Sequence, residues 1–369
     1  MKIGFDAKRA FLNSSGLGNY SRNTLNALYE YYPENKYVLF TPELNEELFS
    51  NYNRFDVISP DSSISKIFKS LWRSFSVSGQ LKKNELDCFH GLSNELPDGV
   101  HKTDVPAVVT IHDLIFMRYP QFYKPIDRKI YFAKVKYACS SAKKIIAISE
   151  QTKSDIIRYF NVDPEKIELV YQSISPAFFQ HQEHKEVFEK YNLSAEYILS
   201  VGTLEPRKNQ LSILKALHEK KIKTQIVFVG KPTEYSVEML KYISENKMDS
   251  QVKLLNNIPR KDLVALYKNA RLSIYISIFE GFGLPVIESM ACGCPVITSN
   301  VSCLPETAGG AALLCSPENY GELGTQIKGI LERESLRQEL ILKGNERART
   351  FHPENFAKKM ISLYSELLS

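Results

Sequence analysis

Short apolar runs rich in β-branched and aromatic residues alternate along this chain with longer stretches whose apolar residues recur at helical spacing. In the first half the pattern predicts strands at residues 2–5, 37–40, 55–58, 86–90, 107–112, 144–148 and 168–171. Helices are predicted between several of these, at 17–31, 64–77, 128–140 and 150–160. The second half repeats the alternation, with strands at 197–201, 226–230, 252–255, 272–276, 295–298 and 311–314. Nearly continuous apolar strands separated by helices predict parallel sheets covered on both faces, an α/β fold. The polar, strand-poor stretch 172–196 divides the two runs and reads as an interdomain linker. A final helix over 352–368 has Pro353 near its first turn, where a missing N–H costs nothing.

A length of 369 residues agrees with two domains rather than one core. The N-terminus has no apolar core of a leader, and no segment approaches the roughly 18 uninterrupted apolar residues of a spanning helix. The expectation is therefore a cytoplasmic protein. Six cysteines lack paired C-x-x-C spacing and histidine partners, so they read as buried free thiols rather than zinc ligands. A net charge of +5 is too mild to point to nucleic acid. Its distribution matters more. Residues 63–75 (SISKIFKSLWRSF) form a basic amphipathic helix that either rests on an anionic membrane or buries its stripe on its own domain. A second basic stretch, 127–144, is either a solvated face or an anion-attracting rim.

In open α/β sheets ligands bind beyond the carboxyl ends of the strands, and two facing sheets place a site in the cleft between domains. The polar residues after each strand are thus the candidates. Gly16 and Gly18 open the first long helix; they either let backbone approach an anion or make a glycine-rich surface turn. The dinucleotide fingerprint fails, because its third glycine position is Ser21 and the glycines lie about ten residues beyond the strand. His112 ends the fifth strand, where it serves a substrate hydroxyl, moves a proton, or bonds to neighbouring backbone. Arg207 and Lys208 stand just before a helix, as a phosphate site or as an exposed basic pair. Finally, SIFEGFGLPVIESMACGCPVIT (277–298) holds Glu280 on a loop and Glu288, eight residues on, one turn into a helix. Carboxylates accept hydrogen bonds from sugar hydroxyls and helix amides bind phosphate, so a ligand carrying both would use all of them. The plainer alternative is acidic side chains favoured at a helix start.

Taken together, GLGNY, HGLSNELP, TIHD, IIAISEQTKSDI, VGTLEPRKN, EGFGLPVIESMACGCPVI and the terminal helix resemble the retaining glycosyltransferases of family 4, across the whole chain and in order. Among these, FHGLSNELP and VGTLEPRKN look most like bacterial polysaccharide mannosyltransferases. The resemblance implies the GT-B fold, two facing Rossmann-like domains with a deep cleft. It assigns 1–175 to the acceptor, with helix 353–369 packing back on it, and 176–352 to the nucleotide-sugar donor. Glu280 and Glu288 match the family's E-x7-E motif. By similarity Glu280 holds donor-sugar hydroxyls, with the backbone of Gly281, Phe282, Gly283 and Leu284 nearby, and Glu288 holds the ribose. Lys208, assisted by Arg207, takes the diphosphate; His112 lines the sugar pocket near the reacting centre; Gly16 and Gly18 border the donor phosphate and the acceptor. Thr203 departs from the arginine that many members place directly after the glycine ending this strand, which leaves the phosphate to Lys208 and puts Arg207's part in question. Gln172-Ser173-Ile174 departs from a glycine-containing turn and has no functional account.

The implied activity is transfer of a hexose, mannose first, from a nucleotide sugar such as GDP-mannose to a saccharide or lipid-linked saccharide, with retention and without metal or other cofactor. No Asp-x-Asp follows a predicted strand in a setting to hold a divalent ion. A covalent glycosyl–enzyme is not expected, because both glutamates are assigned to substrate hydroxyls. Two other readings stand: a nucleotide-sugar epimerase of the same fold, and an inactive nucleotide-sugar-binding partner.

Overall fold

The computed structural model describes residues 1–60, 72–73, 77–180 and 186–368. They form two compact units, Met1–Ser173 with Pro353–Ser369, and Ile174–His352. The helix predicted over 64–77, with the basic amphipathic stretch 63–75, lies outside the described residues apart from Trp72, Arg73 and Val77.

Unit one is built on seven parallel strands in the order β3-β2-β1-β4-β5-β6-β7. They are β1 (Lys2–Asp6), β2 (Lys36–Phe40), β3 (Asp56–Ile58), β4 (Cys88–Gly91), β5 (Ala107–Ile111), β6 (Lys144–Ala147) and β7 (Ile167–Leu169). Every residue of β5 is buried, which is why its sequence shows no apolar–polar alternation. One face of the sheet packs Ile3 and Phe5 under helix α1 (Gly16–Tyr31), through Leu25 and Leu28. The other face packs Val109 and Ile145 under α2 (Pro125–Ser141), through Val135 and Ala138.

Unit two repeats the plan with six parallel strands in the order β10-β9-β8-β11-β12-β13. These are β8 (Tyr197–Val201), β9 (Gln225–Val229), β10 (Val252–Leu255), β11 (Leu272–Tyr275), β12 (Val296–Ser299) and β13 (Leu313–Cys315). Four of its helices bear on the site: α3 (Gln210–Glu219), α4 (Leu284–Ala291), α5 (Leu304–Ala308) and α6 (Glu334–Arg349). The stretch 172–196, expected as the linker, holds the boundary between the units after Ser173. It carries the helical segments Pro176–Phe179 and Glu186–Tyr191, and buries Phe178 and Val187. Apolar residues set among charged ones gave it a polar average and hid Ile174, Phe178 and Val187, all buried.

A last helix, α7 (Pro353–Leu368), belongs to unit one, where Phe356, Met360 and Tyr364 join the core of Phe5, Leu25 and Leu28. In each sheet the strand order reverses once, between β1 and β4 and between β8 and β11. Loops leaving the carboxyl ends of those strands diverge there and open a crevice.

Candidate active site

At the switch point of unit two, the loop after β8 and the loop after β11 meet. Lys208, in a turn of 3-10 helix just beyond β8, places its ammonium 2.6 Å from the Glu280 carboxylate and 2.5 Å from the Tyr275 hydroxyl at the end of β11. The same ammonium lies 4.8 Å from the centre of the Tyr275 ring. Arg207 reaches the same Glu280 oxygen at 2.8 Å, bonds the Phe279 carbonyl at 2.8 Å, and bonds Glu205 at 2.6 Å. Burial opposes ionisation of Glu280, but Lys208 and Arg207 outweigh it and hold the carboxyl down at about 2. Burial likewise pushes the Lys208 ammonium below its ordinary value, with Glu280 opposing. An ionised cation–carboxylate pair thus stands where the strands end, with each charge available for exchange onto a ligand of opposite need.

The loop holding Glu280 is tightly tethered. Ser302 accepts a hydrogen bond from the Glu280 amide at 3.2 Å; the Cys303 thiol donates to the Glu280 and Phe282 carbonyls, both at 3.2 Å; the Thr307 hydroxyl donates to Phe282 at 2.6 Å. Arg347 of α6 in turn bonds the Thr307 and Glu306 carbonyls at the end of α5. Gly283 then caps α4 in the left-handed region, at φ +101°, and a Cβ there would come within 2.6 Å of Leu304. Only glycine takes that conformation without strain. The helix starts at Leu284; Pro285 has no N–H and the Val286 amide bonds the Gly283 carbonyl at 3.0 Å, so Leu284 supplies the first-turn amide that the helix itself does not use.

Glu288, in the second turn of α4, is half-buried and accepts from the Tyr267 hydroxyl at 3.3 Å. Burial raises its carboxyl to about 7 against the opposing effects of Arg260 and Tyr267. Thr203 is half-buried beside Lys208's turn, its carbonyl accepting from Gln210 at 2.9 Å. Lys208, Arg207 and Glu280 therefore form one cluster, with Gly283, Leu284 and Glu288 along the following helix.

In unit one, His112 is buried at the end of β5. Its Nε2 lies 2.8 Å from the Leu92 carbonyl, which can only accept, so Nε2 carries the hydrogen and Nδ1 is the acceptor. Burial lowers the imidazole to about 4, with the Leu92 bond opposing. The neutral ring suits acceptance of a hydroxyl proton more than proton shuttling. Its back is set by the edge of Tyr20, 4.6 Å away, whose hydroxyl lies 3.0 Å from Thr110. Thr110 is 2.8 Å from His90 Nε2, and His90 Nδ1 is 2.7 Å from the Tyr364 hydroxyl of α7. Gly16 faces open space, but Gly18 has an internal reason to be glycine: a Cβ there would sit 1.7 Å from the Asn13 carbonyl, and its amide already bonds the Asn13 side chain at 3.1 Å.

Tyr275, Ser302 and Thr307 went unremarked in the sequence, and the strand-end rule applied to β11 and β12 would have found the first two. Cys303, read as packing with the other thiols, is buried and bonds the loop of Glu280. Among the described residues no group of three or more His, Cys, Asp or Glu is gathered as a metal site requires.

Two doubly wound units, one with a cation–carboxylate pair and a helix start at its switch point, make a frame for transfer from a phosphorylated sugar. Family models agree: "Glycosyl transferases group 1" matches residues 181–347 and "Glycosyltransferase Family 4" matches 15–178. The chain is 32% identical over 287 residues to O-antigen chain mannosyltransferase B of Escherichia coli, covering 76% of this chain and 74% of that protein. It is 29% identical over 223 residues to the O-antigen chain mannosyltransferase RfbU of Salmonella typhimurium, covering 60% of each. Among solved structures, sucrose-phosphate synthase of Thermosynechococcus elongatus shares the fold, with a TM-score of 0.81 over 100% of this chain and 99% of that one at 20% identity. The chain belongs to the group 1, family 4 glycosyltransferases and has the GT-B fold.

Proposed function

We propose that this glycosyltransferase moves mannose from GDP-mannose to a saccharide or lipid-linked saccharide during surface polysaccharide synthesis in the cytoplasm, with retention of configuration. The observation that carries the reading is the 2.6 Å pair between Lys208 and Glu280 beside the α4 start. A nucleoside diphosphate sugar exchanges both partners: Lys208 and the Leu284 amide at the start of α4 turn to the diphosphate, and Glu280 accepts from sugar hydroxyls. Arg207, already fastened to Glu205 and Phe279, keeps Glu280 in place. Glu288 accepts from the ribose hydroxyls, and Thr203 with the backbone of Gly281 through Leu284 completes the donor site. His112 Nδ1 accepts from a hydroxyl of the donor sugar, and Gly16 leaves room for the donor phosphate and the acceptor. The mannosyl preference is supported by the relatives at 32% and 29% identity, both O-antigen chain mannosyltransferases.

In the reaction the bond from the anomeric carbon to the diphosphate breaks and a bond to the acceptor oxygen forms on the same face. The acceptor's proton passes to the departing phosphate oxygen, and GDP leaves. Negative charge growing on that oxygen meets Lys208 and the amide at the helix start, preorganised in a partly dry site. No carboxylate is bonded to the sugar and no divalent ion is needed.

A panel of nucleotide sugars screened by thermal stabilisation tests the donor, since a ligand of the folded state raises the melting temperature. GDP-mannose is expected to raise it more than any UDP-sugar; preference for a UDP-sugar overturns the assignment. Proton NMR of the product is expected to show the α-anomer, and a β-linked product refutes retention. Activity lost in EDTA and restored by magnesium refutes metal independence, and a trapped adduct on Glu280 or Glu288 refutes same-face attack.

A further inference from the structure

Helix α7 is the last element of the chain, yet it reaches the surroundings of His112 by two routes. The first is a run of buried polar groups. The Tyr364 hydroxyl lies 2.7 Å from His90 Nδ1, His90 Nε2 lies 2.8 Å from the Thr110 hydroxyl, and that hydroxyl lies 3.0 Å from the hydroxyl of Tyr20. All four side chains are buried. Burial holds His90 at about 3, so its ring is neutral and offers one donor and one acceptor. The second route is apolar: Phe356, about two helical turns before Tyr364, meets the Tyr20 ring edge-on at 6.1 Å. Tyr20 is thus held at its hydroxyl and at its ring by one helix.

Tyr20 in turn bears on His112, the two rings meeting edge to face at 4.6 Å and 87°. The backbone of His112 is fastened separately: its amide donates to the Asn94 side chain at 2.7 Å, and its carbonyl accepts from Thr152 at 3.2 Å. Its ring has one hydrogen bond among the described residues, from Nε2 to the Leu92 carbonyl. One such bond fixes a point of the ring and leaves the plane free to turn about it. The Tyr20 ring blocks that turn and so sets where Nδ1 aims. We propose that Tyr364 and His90 are positioning residues for transfer: through Thr110 and Tyr20 they hold the His112 ring at the angle at which Nδ1 meets the donor sugar. This rests on the reading of His112 as acceptor from a sugar hydroxyl. Neither residue touches a ligand. Buried polar groups are costly unless paired, and an apolar core would serve packing alone; a connected polar run that ends against His112 serves alignment.

The test measures hydrolysis of GDP-mannose, a transfer with water as acceptor, in Tyr364→Phe, His112→Ala and the double variant. Tyr364→Phe is expected to lower kcat about tenfold, because a small displacement at the reacting centre is costly. Its GDP affinity, read by calorimetry, is expected to stay unchanged, since GDP lacks the sugar. In the His112→Ala background the same substitution is expected to cost nothing further, because residues that act through one another do not add. Thr110→Val is expected to match Tyr364→Phe, and Thr110→Ser, which keeps the hydroxyl, to keep the parent's rate. Met360→Ala loosens α7 without touching the polar run, and is expected to lower the melting temperature at unchanged kcat. A second readout needs no activity. In NMR of protein with isotope-labelled histidine, the His112 ring protons lie under the influence of the Tyr20 ring. They are expected to move in Tyr364→Phe and to stay in Met360→Ala, whatever the donor. Losses that add to that of His112→Ala, a kcat that follows melting temperature across all variants, or a His112 resonance that Tyr364→Phe leaves in place overturns the proposal. His112→Ala as fast as the parent defeats the role of His112 and the proposal with it; a slow His112→Ala with additive losses defeats the proposal alone.

Discussion

Glu280 stays ionised although buried, because Lys208 and Arg207 converge on one of its oxygens. Replacing it with glutamine leaves the buried Lys208 ammonium without a carboxylate, beside an Arg207 that keeps Glu205. Breaking a buried pair from one side costs about 3 kcal/mol, so Glu280→Gln is expected to lower stability by that order in chemical denaturation. Its transfer rate is expected to drop by about two orders of magnitude, through the lost sugar contact. Wild-type kinetics in the variant would refute the assignment. Glu288 differs in sign. Its carboxyl rises to about 7 from an ordinary 4.5. Between those values the folded chain keeps a proton that the unfolded chain has released. Its contribution to stability is therefore complete below pH 4.5 and is lost as pH rises through 7. Ribose hydroxyls donate best to the ionised form, so GDP affinity, measured by calorimetry, is expected to rise between pH 6 and about 8. Glu288→Gln should flatten that profile, and a flat parent profile would remove the ribose role.

The loop between β11 and α4 shows how a short element is made rigid without regular hydrogen bonding of its own. Ser302 and Cys303 from the next strand–helix connection, with Thr307 of α5, hold its amide and carbonyl groups. Gly283 completes it. Gly283→Ala would meet Leu304 and a left-handed backbone, so a loss of about 1–3 kcal/mol is expected together with a fall in transfer rate, read by thermal melting and kinetics. The elements themselves were largely legible. Buried parallel strands advertise themselves as unbroken apolar runs, and β8 and β10 lie where the pattern predicts. The E-x7-E spacing placed Glu280 on a loop and Glu288 in the helix that follows, where both lie. The pairing of Lys208 with Glu280 did not show, because 72 positions separate them and only the sheet order brings β8 beside β11. The same holds for His90, whose partner Tyr364 is 274 positions away. Long-range partners follow from topology, which a single sequence encodes only through the whole fold.

Each unit has its own core, so two unfolding transitions are expected in calorimetry rather than one. Unit one has the acid-sensitive transition. Burial holds His90 at about 3 and His112 at about 4, both below an ordinary 6.5. Below pH 6.5 the unfolded chain takes protons that the folded chain refuses, so stability falls with pH by up to about 1.4 kcal/mol per unit for each histidine. The transition assigned to unit one should move down between pH 7 and about 5 while the other, which holds Glu288, moves up; a downward shift of both would contradict it. Tyr364→Phe, which strips His90 of its Nδ1 partner, should lower the same transition by about 1–2 kcal/mol. The return of α7 to unit one also sets an order of assembly at the ribosome. Residues 1–173 emerge first, yet their sheet lacks Phe356, Met360 and Tyr364 until translation has passed residue 364. The later unit has all its strands by residue 315 and its last helix by 349, so the half that is made second is the half that can finish folding first.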